Sequence, residues 1–554
     1  MLRKSTFVLA SLPAAIAATA ATNSISQVNN SVRAAFVYQY MYYRETSTKQ
    51  GHEVVDDTNR GNMPGFALEA NHEFGHIYTD VAMKALNGNT PYKGATVGTN
   101  IPVSNDNAPS FIFDMTGIAG YRFNFGSRFA LTPYGEIGYH SWERSSLSSV
   151  TSQGGSVEGG QGDYSNNYWA GGLRAQFQVA QSLVLTAFGA AGRTFNAHVY
   201  NTKTKLYPSS DIHAGTTYSL KSKPWYNAGL GLDWAVAGNF HLFTTLEYTR
   251  FKYGKSNIEN TEPNNPHDGS DEPDSFTRYF ATYLGLAYSF NTNQKGSKTT
   301  SAENSLAAFN NEGGAEIMGM YTNYRLAPKA GSAAKDIRTG THSGTIPGLR
   351  IFLSHSFGHF VFQASGDYAS EHVHFKSNDP STPYSTNDAK INHYNGGIAL
   401  GYLHSFSDKS ALLPKVVLGF EHDNFIIQKT SYNIPESNVY YFFYTGLGLD
   451  YQQQLSDGWI MSPSIEGGAT VANTVYAPLA EVQFHNSPAP WYGAGLKFDY
   501  AINQDTHFVT NLDYRYVAFK QSDLTQGNTP STEATMPKAH LSTVSLSAGI
   551  AFNT

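Results

Sequence analysis

Two stretches of the chain nearly repeat each other and set the terms for the rest. One is Pro224-Trp225-Tyr226-Asn227-Ala228-Gly229-Leu230-Gly231-Leu232-Asp233-Trp234, and the other is Pro490-Trp491-Tyr492-Gly493-Ala494-Gly495-Leu496-Lys497-Phe498-Asp499-Tyr500. At period two, one face of the first carries Tyr226, Ala228, Leu230, Leu232 and Trp234, while the other carries Asn227, Gly229, Gly231 and Asp233. The second splits the same way, with Lys497 and Asp499 on its polar face. A helix would mix these sets, so the alternation predicts strands. An apolar face flanked by aromatics, backed by a face of glycine and charge, is the pattern of a strand with lipid on one side and a polar lumen on the other.

Composition agrees. Charged residues are 14% of the 554, aromatics are another 14%, and there are 51 Gly. The sequence shows no mature apolar run of about 18 residues, so no transmembrane helix is expected. The net charge of -6 gives no reason to expect a nucleic-acid partner. With no cysteine, disulfides and thiolate metal sites are excluded. Arg3 and Lys4, the apolar run 7–18 and Ala18-Thr19-Ala20 read as a signal peptide over 1–20. Export to the outer membrane of a Gram-negative cell follows as the expectation.

Along 21–291, alternating segments predict ten strands, at 31–44, 62–72, 76–86, 111–125, 129–142, 166–179, 183–199, 218–236, 240–253 and 276–290. Turns of a few residues (Glu73-Phe74-Gly75, Gly126-Ser127-Arg128, Ala237-Gly238-Asn239) alternate with polar loops of roughly fifteen to twenty residues, uncommonly long for a compact domain. Short turns on one side and long loops on the other are the two rims of an outer-membrane barrel.

After a polar linker at 292–303 the chain starts over and runs as a second copy through 304–554. Pro64-Gly65 with His72, Phe74, Gly75 and His76 returns as Pro347-Gly348 with His355, Phe357, Gly358 and His359. Gly120-Tyr121 returns as Gly401-Tyr402, and His241, Leu246 and Tyr248 return as His507, Leu512 and Tyr514. Strands and turns match while outer loops do not, so the whole ten-stranded unit is duplicated, including its N-terminal extension, whose Asn23-Ser24-Ile25 and Asn29-Asn30 return as Asn304-Ser305-Leu306 and Asn310-Asn311. The fold expected is all-β: two tandem ten-stranded, antiparallel, up-and-down transmembrane barrels, with one fused barrel of about twenty strands as the alternative. The two differ in consequence, since a barrel of about ten strands is filled by its own side chains and one of about twenty leaves a channel.

Few residues read as chemistry. Asp233, Glu247, Asp499 and Asp513, with Lys497 and Arg515, fall on polar faces and are expected in the lumen as paired ions, or as a charged constriction. His72 and His76, with His355 and His359, have a four-residue spacing that metal ligands can have. They straddle a turn, however, and read as rim histidines around a left-handed glycine. The acidic loop Glu259, Glu262, Asp268, Asp271, Glu272, Asp274 lacks the spacing of a calcium loop and reads as solvated. No phosphate loop, serine elbow or cofactor fingerprint is present, so neither a cofactor nor a metal is expected.

Over its mature length the chain resembles bacterial outer-membrane β-barrel proteins. Its strand count, its long outer loops and the run Asp211-Ile212-His213, followed by Lys221-Ser222-Lys223, resemble the omptin proteases. That resemblance implies His213 as a general base oriented by Asp211. The pattern departs from the family elsewhere. The loop 87–109, where a second acidic pair belongs, offers only Asp106 between Asn105 and Asn107, and copy two has Ala477 and Leu479 in place of the Asp and His. The expected role is therefore non-enzymatic: a surface-exposed structural, adhesin-like or narrow porin-like protein, with proteolysis by copy one as the alternative. The expected partners are outer-membrane lipid and lipopolysaccharide. The barrel-assembly machinery joins them, through the last strand ending at Phe552, whose closing aromatic resembles the C-terminal signal of outer-membrane proteins.

Overall fold

The structure is a computed structural model. It describes residues 24–49, 52–95, 102–106, 108–146, 149–151, 156–157, 160–201, 216–257, 259–260, 269–270, 272–289, 305–327, 339–378, 384–427, 436–477, 482–503, 506–522, 525–526, 533–534 and 536–553. The expected signal peptide and the linker 292–303 lie outside these.

Ten long strands make up the first half. They are β1 (Ser31–Lys49), β2 (His52–Phe74), β3 (Ile77–Asn89), β4 (Pro109–Tyr121), β5 (Phe129–Ser146), β6 (Gly160–Ala180), β7 (Leu183–Asn201), β8 (Pro224–Ala237), β9 (Phe240–Tyr253) and β10 (Asp274–Ser289). Each pairs antiparallel with its neighbours in sequence, and β10 pairs with β1, Ser31 facing Ser289. The second half repeats this with β11 (Glu312–Leu326), β12 (Gly340–Phe357), β13 (Phe360–Ser377), β14 (Ser385–Tyr402), β15 (Ser410–Ile427), β16 (Glu436–Ser456), β17 (Trp459–Ala477), β18 (Pro490–Ala501), β19 (Thr506–Phe519) and β20 (Ala539–Asn553). β20 closes on β11, Glu312 facing Asn553. The protein is thus two closed ten-stranded antiparallel barrels. The alternative of one fused barrel is excluded, because each half's last strand spends its hydrogen bonds on its own first strand.

The strands run longer than their apolar alternation. The segment holding Asp56, Asp57 and Asn59, expected as loop, is the start of β2, paired with β1 as far as Lys49 facing His52. Ladder hydrogen bonds persist beyond the apolar belt, where both faces carry polar side chains and the alternation that marks a strand is lost. The expected strand 111–125 is also interrupted. β4 ends at Tyr121, and Phe123–Phe125 is a separate short strand on β5. The short turns are as expected, with Gly75, Gly126, Gly238 and Gly358 at φ of 66, 75, 53 and 64°, the left-handed region that favours glycine.

Among the described residues no helix is long and apolar enough to cross a membrane. The outward faces form an apolar belt: Phe36, Leu230, Leu284, Ile317 and Leu447 are 48, 56, 63, 72 and 69% exposed. One sector is covered. Outward-facing Met83, Phe111 and Phe113 of the first barrel pack with Ile351 and Tyr394 of the second and are buried. At this seam Glu143 accepts a 2.9 Å hydrogen bond from His422, whose ring stacks on Phe111 at 3.8 Å.

Candidate functional site

The lumens are the places where these strands gather polar chemistry, and side chains close both at their two ends. At the short-turn rim of the first barrel lies a one-turn helix, α1 (Ile25–Val28), closed by a capping box: Gln27 N donates to Ser24 Oγ at 3.1 Å and Ser24 N to Gln27 Oε1 at 2.9 Å. Ile25 and Val28 pack on Ala130 and Val184 of the barrel wall. Behind the helix, the side-chain amides of Asn29 and Gln176 bond each other reciprocally at 2.9 and 2.7 Å. The second barrel repeats the device. Ser305 caps α2 (Leu306–Phe309), and Asn310 and Gln452 interlock at 2.7 and 2.8 Å. The segments 24–30 and 305–311 are thus a stopper in each copy.

Above the first stopper is a layer of ions. Arg33 donates to Asp233 at 3.2 Å and to the Val28 carbonyl at 3.1 Å. Asp233 also holds His241 Nδ1 at 2.5 Å, and His241 Nε2 meets Ser289 Oγ at 2.9 Å. This has the order of a proton relay, but Ser289 and His241 are wholly buried beside the β8–β9 turn. In the second barrel Asp499 and His507 keep the pair at 2.6 Å while Asn553 takes the serine's place on the closing strand. An acid–histidine pair repeated without its hydroxyl reads as a fastening of the turn.

The remaining expected lumen residues are mostly matched. Glu247 accepts from Asn227 at 2.9 Å and from Thr249 at 2.8 Å. Asp513 pairs with Arg350, Lys497 with Glu312, and Arg515 with Glu421 at 2.9 Å. Lys84 with Asp114 at 2.9 Å, and Asp114 with His140, add a group that the alternation did not single out. The space left in the first lumen is a cavity of about 200 Å³. Gly138 and Gly172 make room for the rings of Tyr168 and Tyr134, their cross-strand partners. A Cβ on either would stand 2.3 Å from the ring.

At the long-loop rim both lumens end in aromatics. In the first barrel Tyr43, Trp142 and Tyr164 are fully buried and packed together, with Tyr43 and Tyr164 hydroxyls 2.8 Å apart and the Arg144 guanidinium over all three rings. Glu272, expected in the solvated acidic loop, instead accepts from Tyr164 at 2.6 Å. In the second barrel Tyr324, Phe425, Tyr440 and Phe519 do the same work.

Asp211 and His213 lie outside the described residues, as do Glu262, Asp268 and Asp271. Asp106 is exposed at the long-loop rim, its carbonyl accepting from Asn89 at 2.7 Å. The turn histidines bring no metal set together. His76 is exposed on Tyr121, whereas His72 stacks on Phe552 of the other barrel and His355 lies against Tyr288.

No protein-family model matches the chain and no curated protein matches it. Solved structures do. The outer membrane protease OmpT from Escherichia coli matches at 12% identity over 49% of this chain and 100% of its own, TM-score 0.35. Ail of Yersinia pestis, the attachment invasion locus protein, matches at 12% over 47% of this chain and 99% of its own, TM-score 0.19. A Pseudomonas aeruginosa FadL homologue matches at 9% over 95% of this chain and 90% of its own, TM-score 0.24. What the strand register establishes by itself is the fold, a closed ten-stranded antiparallel β-barrel built twice in one chain.

Proposed function

We propose that this is a cell-surface outer-membrane protein whose two barrels are closed anchors and whose outer rim makes adhesin-like contacts. The observation that carries this is the stopping of both lumens at both ends, by α1 and α2 below and by the aromatic layers above. A path for solutes would have to pass a stopper, a charged layer and a ring layer in each barrel. The apolar outward belt supplies the membrane contact, and lipopolysaccharide is its partner in the outer leaflet. Export follows the segment 1–20, and insertion by the barrel-assembly machinery follows the strand ending at Phe552.

The test is planar-bilayer conductance paired with adhesion. The reading expects no stable conductance steps from the purified protein, and binding of expressing cells to a host-cell or matrix surface that is lost when the long loops are shortened. Large stable steps overturn it. Proteolysis by copy one is the second reading, supported by the run Asp211-Ile212-His213, which lies in sequence between β7 and the strand Thr216–Leu220 paired with it. Peptide cleavage by intact cells that Asp211→Asn and His213→Ala both abolish would establish it. No cleavage, or unchanged cleavage, removes it.

A further inference from the structure

The two copies differ most sharply at two rungs of the same cross-strand ladder. In the first barrel these rungs are Ile112 facing Trp142 and Asp114 facing His140. The first is apolar, and in the second Asp114 is satisfied by Lys84 and His140, whose other nitrogen meets Tyr279 at 3.0 Å. In the second barrel the same rungs are His393 facing Asp423 and Asn395 facing Glu421. An apolar rung has become an acid and an imidazole, and a second acid stands beside them.

We propose that His393, Glu421 and Asp423 form a site for a divalent transition-metal cation of the zinc class in the lumen of the second barrel. One donor atom from each residue lies within 4.8 Å of the others, a spread closed by small side-chain shifts around an ion with ligand bonds of about 2.0–2.2 Å. All three are buried, at 5, 1 and 1% exposure. Glu421 and Asp423 are two residues apart on β15, so both carboxylates point inward. Arg515 answers Glu421 at 2.9 Å. Asp423 has only members of the set beside it: its Oδ1 stands 2.6 Å from His393 Nδ1, and its buried Oδ2 meets no lysine, arginine or amide donor among the described residues.

A buried carboxylate with an open lone pair, next to another carboxylate, is expensive to hold away from water. A cation placed between Asp423 Oδ1 and His393 Nδ1 removes that cost. Ligation through Nδ1 leaves the imidazole its proton on Nε2. One imidazole and two carboxylates suit zinc and its neighbours rather than calcium, which takes six to eight oxygens, and a chain without cysteine offers no thiolate for softer ions. The set at Glu312, Asp499 and His507 has comparable spacing, but its acid–histidine pair is the turn fastening that the first barrel repeats as Asp233 and His241.

The experiment uses the full mature chain, folded in detergent, stripped of metal and free of any histidine tag. Titration with zinc chloride by calorimetry is expected to give one ion per chain and a raised melting temperature. Asp423→Asn and His393→Gln are each expected to weaken binding by about 100-fold or more, while His507→Gln leaves it unchanged. Since any one variant could fail to fold, diffraction at the zinc edge from the soaked wild-type protein is the second measurement, with an anomalous peak expected between His393 and Asp423. No binding by the wild-type protein, wild-type affinity in both variants, or a peak only elsewhere, at Glu312 or on the surface, overturns the proposal.

Discussion

Phe113 and Tyr394 hold the same rung of their respective barrels, and they lie against each other with ring centroids 4.8 Å apart. A residue that meets its own counterpart sits on a two-fold axis, and the contacts around it obey that symmetry. Met83 rests on Gly366, its counterpart on β13. His72 stacks on Phe552 at 5.1 Å, and its counterpart His355 lies 3.5 Å from Tyr288, the counterpart of Phe552. This is an isologous interface of the kind homodimers form, here within one chain. A protease site placed in the linker 292–303 should therefore leave the two halves associated in mild detergent after cleavage, seen as one peak in size-exclusion chromatography.

The seam also carries a polar fastening. Glu143 and His422 are both 3% exposed at their side chains and 2.9 Å apart. Glu143→Ala leaves a buried imidazole without its acceptor and should weaken association of the cleaved halves by about 1–3 kcal/mol. The dissociation midpoint in denaturant checks this, and the double variant with His422→Phe should recover part of the loss.

The stoppers predict a matched pair of effects. Asn29→Ala strips Gln176 of both amide partners, and Asn310→Ala does the same to Gln452. Each should lower stability in detergent by about 1–3 kcal/mol. In a double-mutant cycle Asn29→Ala with Gln176→Ala should cost clearly less than the two losses added together.

Arg33 is the cation on which the first lumen's lower layer depends, reaching Asp233 at 3.2 Å and Glu69 at 3.7 Å. Arg33→Met strands buried carboxylate charge and should cost about 3–5 kcal/mol in the unfolding transition. Asp233→Asn added to it should restore part of that.

Gly138 is required by a neighbour's bulk. Gly138→Val drives a branched side chain into the Tyr168 ring and should cost about 1–3 kcal/mol. Thermal melts of Gly138→Val with and without Tyr168→Ala check the cause, since truncating the ring should relieve part of the strain.

Much of this was legible in the residues. The alternation of Tyr226 to Trp234 against Asn227 to Asp233 gives the two faces of β8, and the return of the motif at Pro490 gives the second barrel. What alternation cannot mark is strand beyond the apolar belt, so Asp56 to Asn59 read as loop although they continue the ladder. The stoppers escaped notice because Ser24 and Asn29 are short polar residues whose partner, Gln176, is remote in sequence. The seam left one trace: Glu143 and His422 put ionisable groups on outward positions of faces that otherwise carry no charge. The ligand rung at His393 and Asp423 has no local signature, since its members meet only through strand pairing.

The central claim is that each half closes on itself. The chain has no cysteine, so a single introduced pair reports without interference. Ala34→Cys with Leu286→Cys places thiols on directly opposed residues of β1 and β10, and two closed barrels predict rapid oxidation to an intramolecular disulfide in the folded protein. A chain in which that pair stays reduced, while Leu286→Cys links instead to Ile317→Cys on β11, would contradict the account.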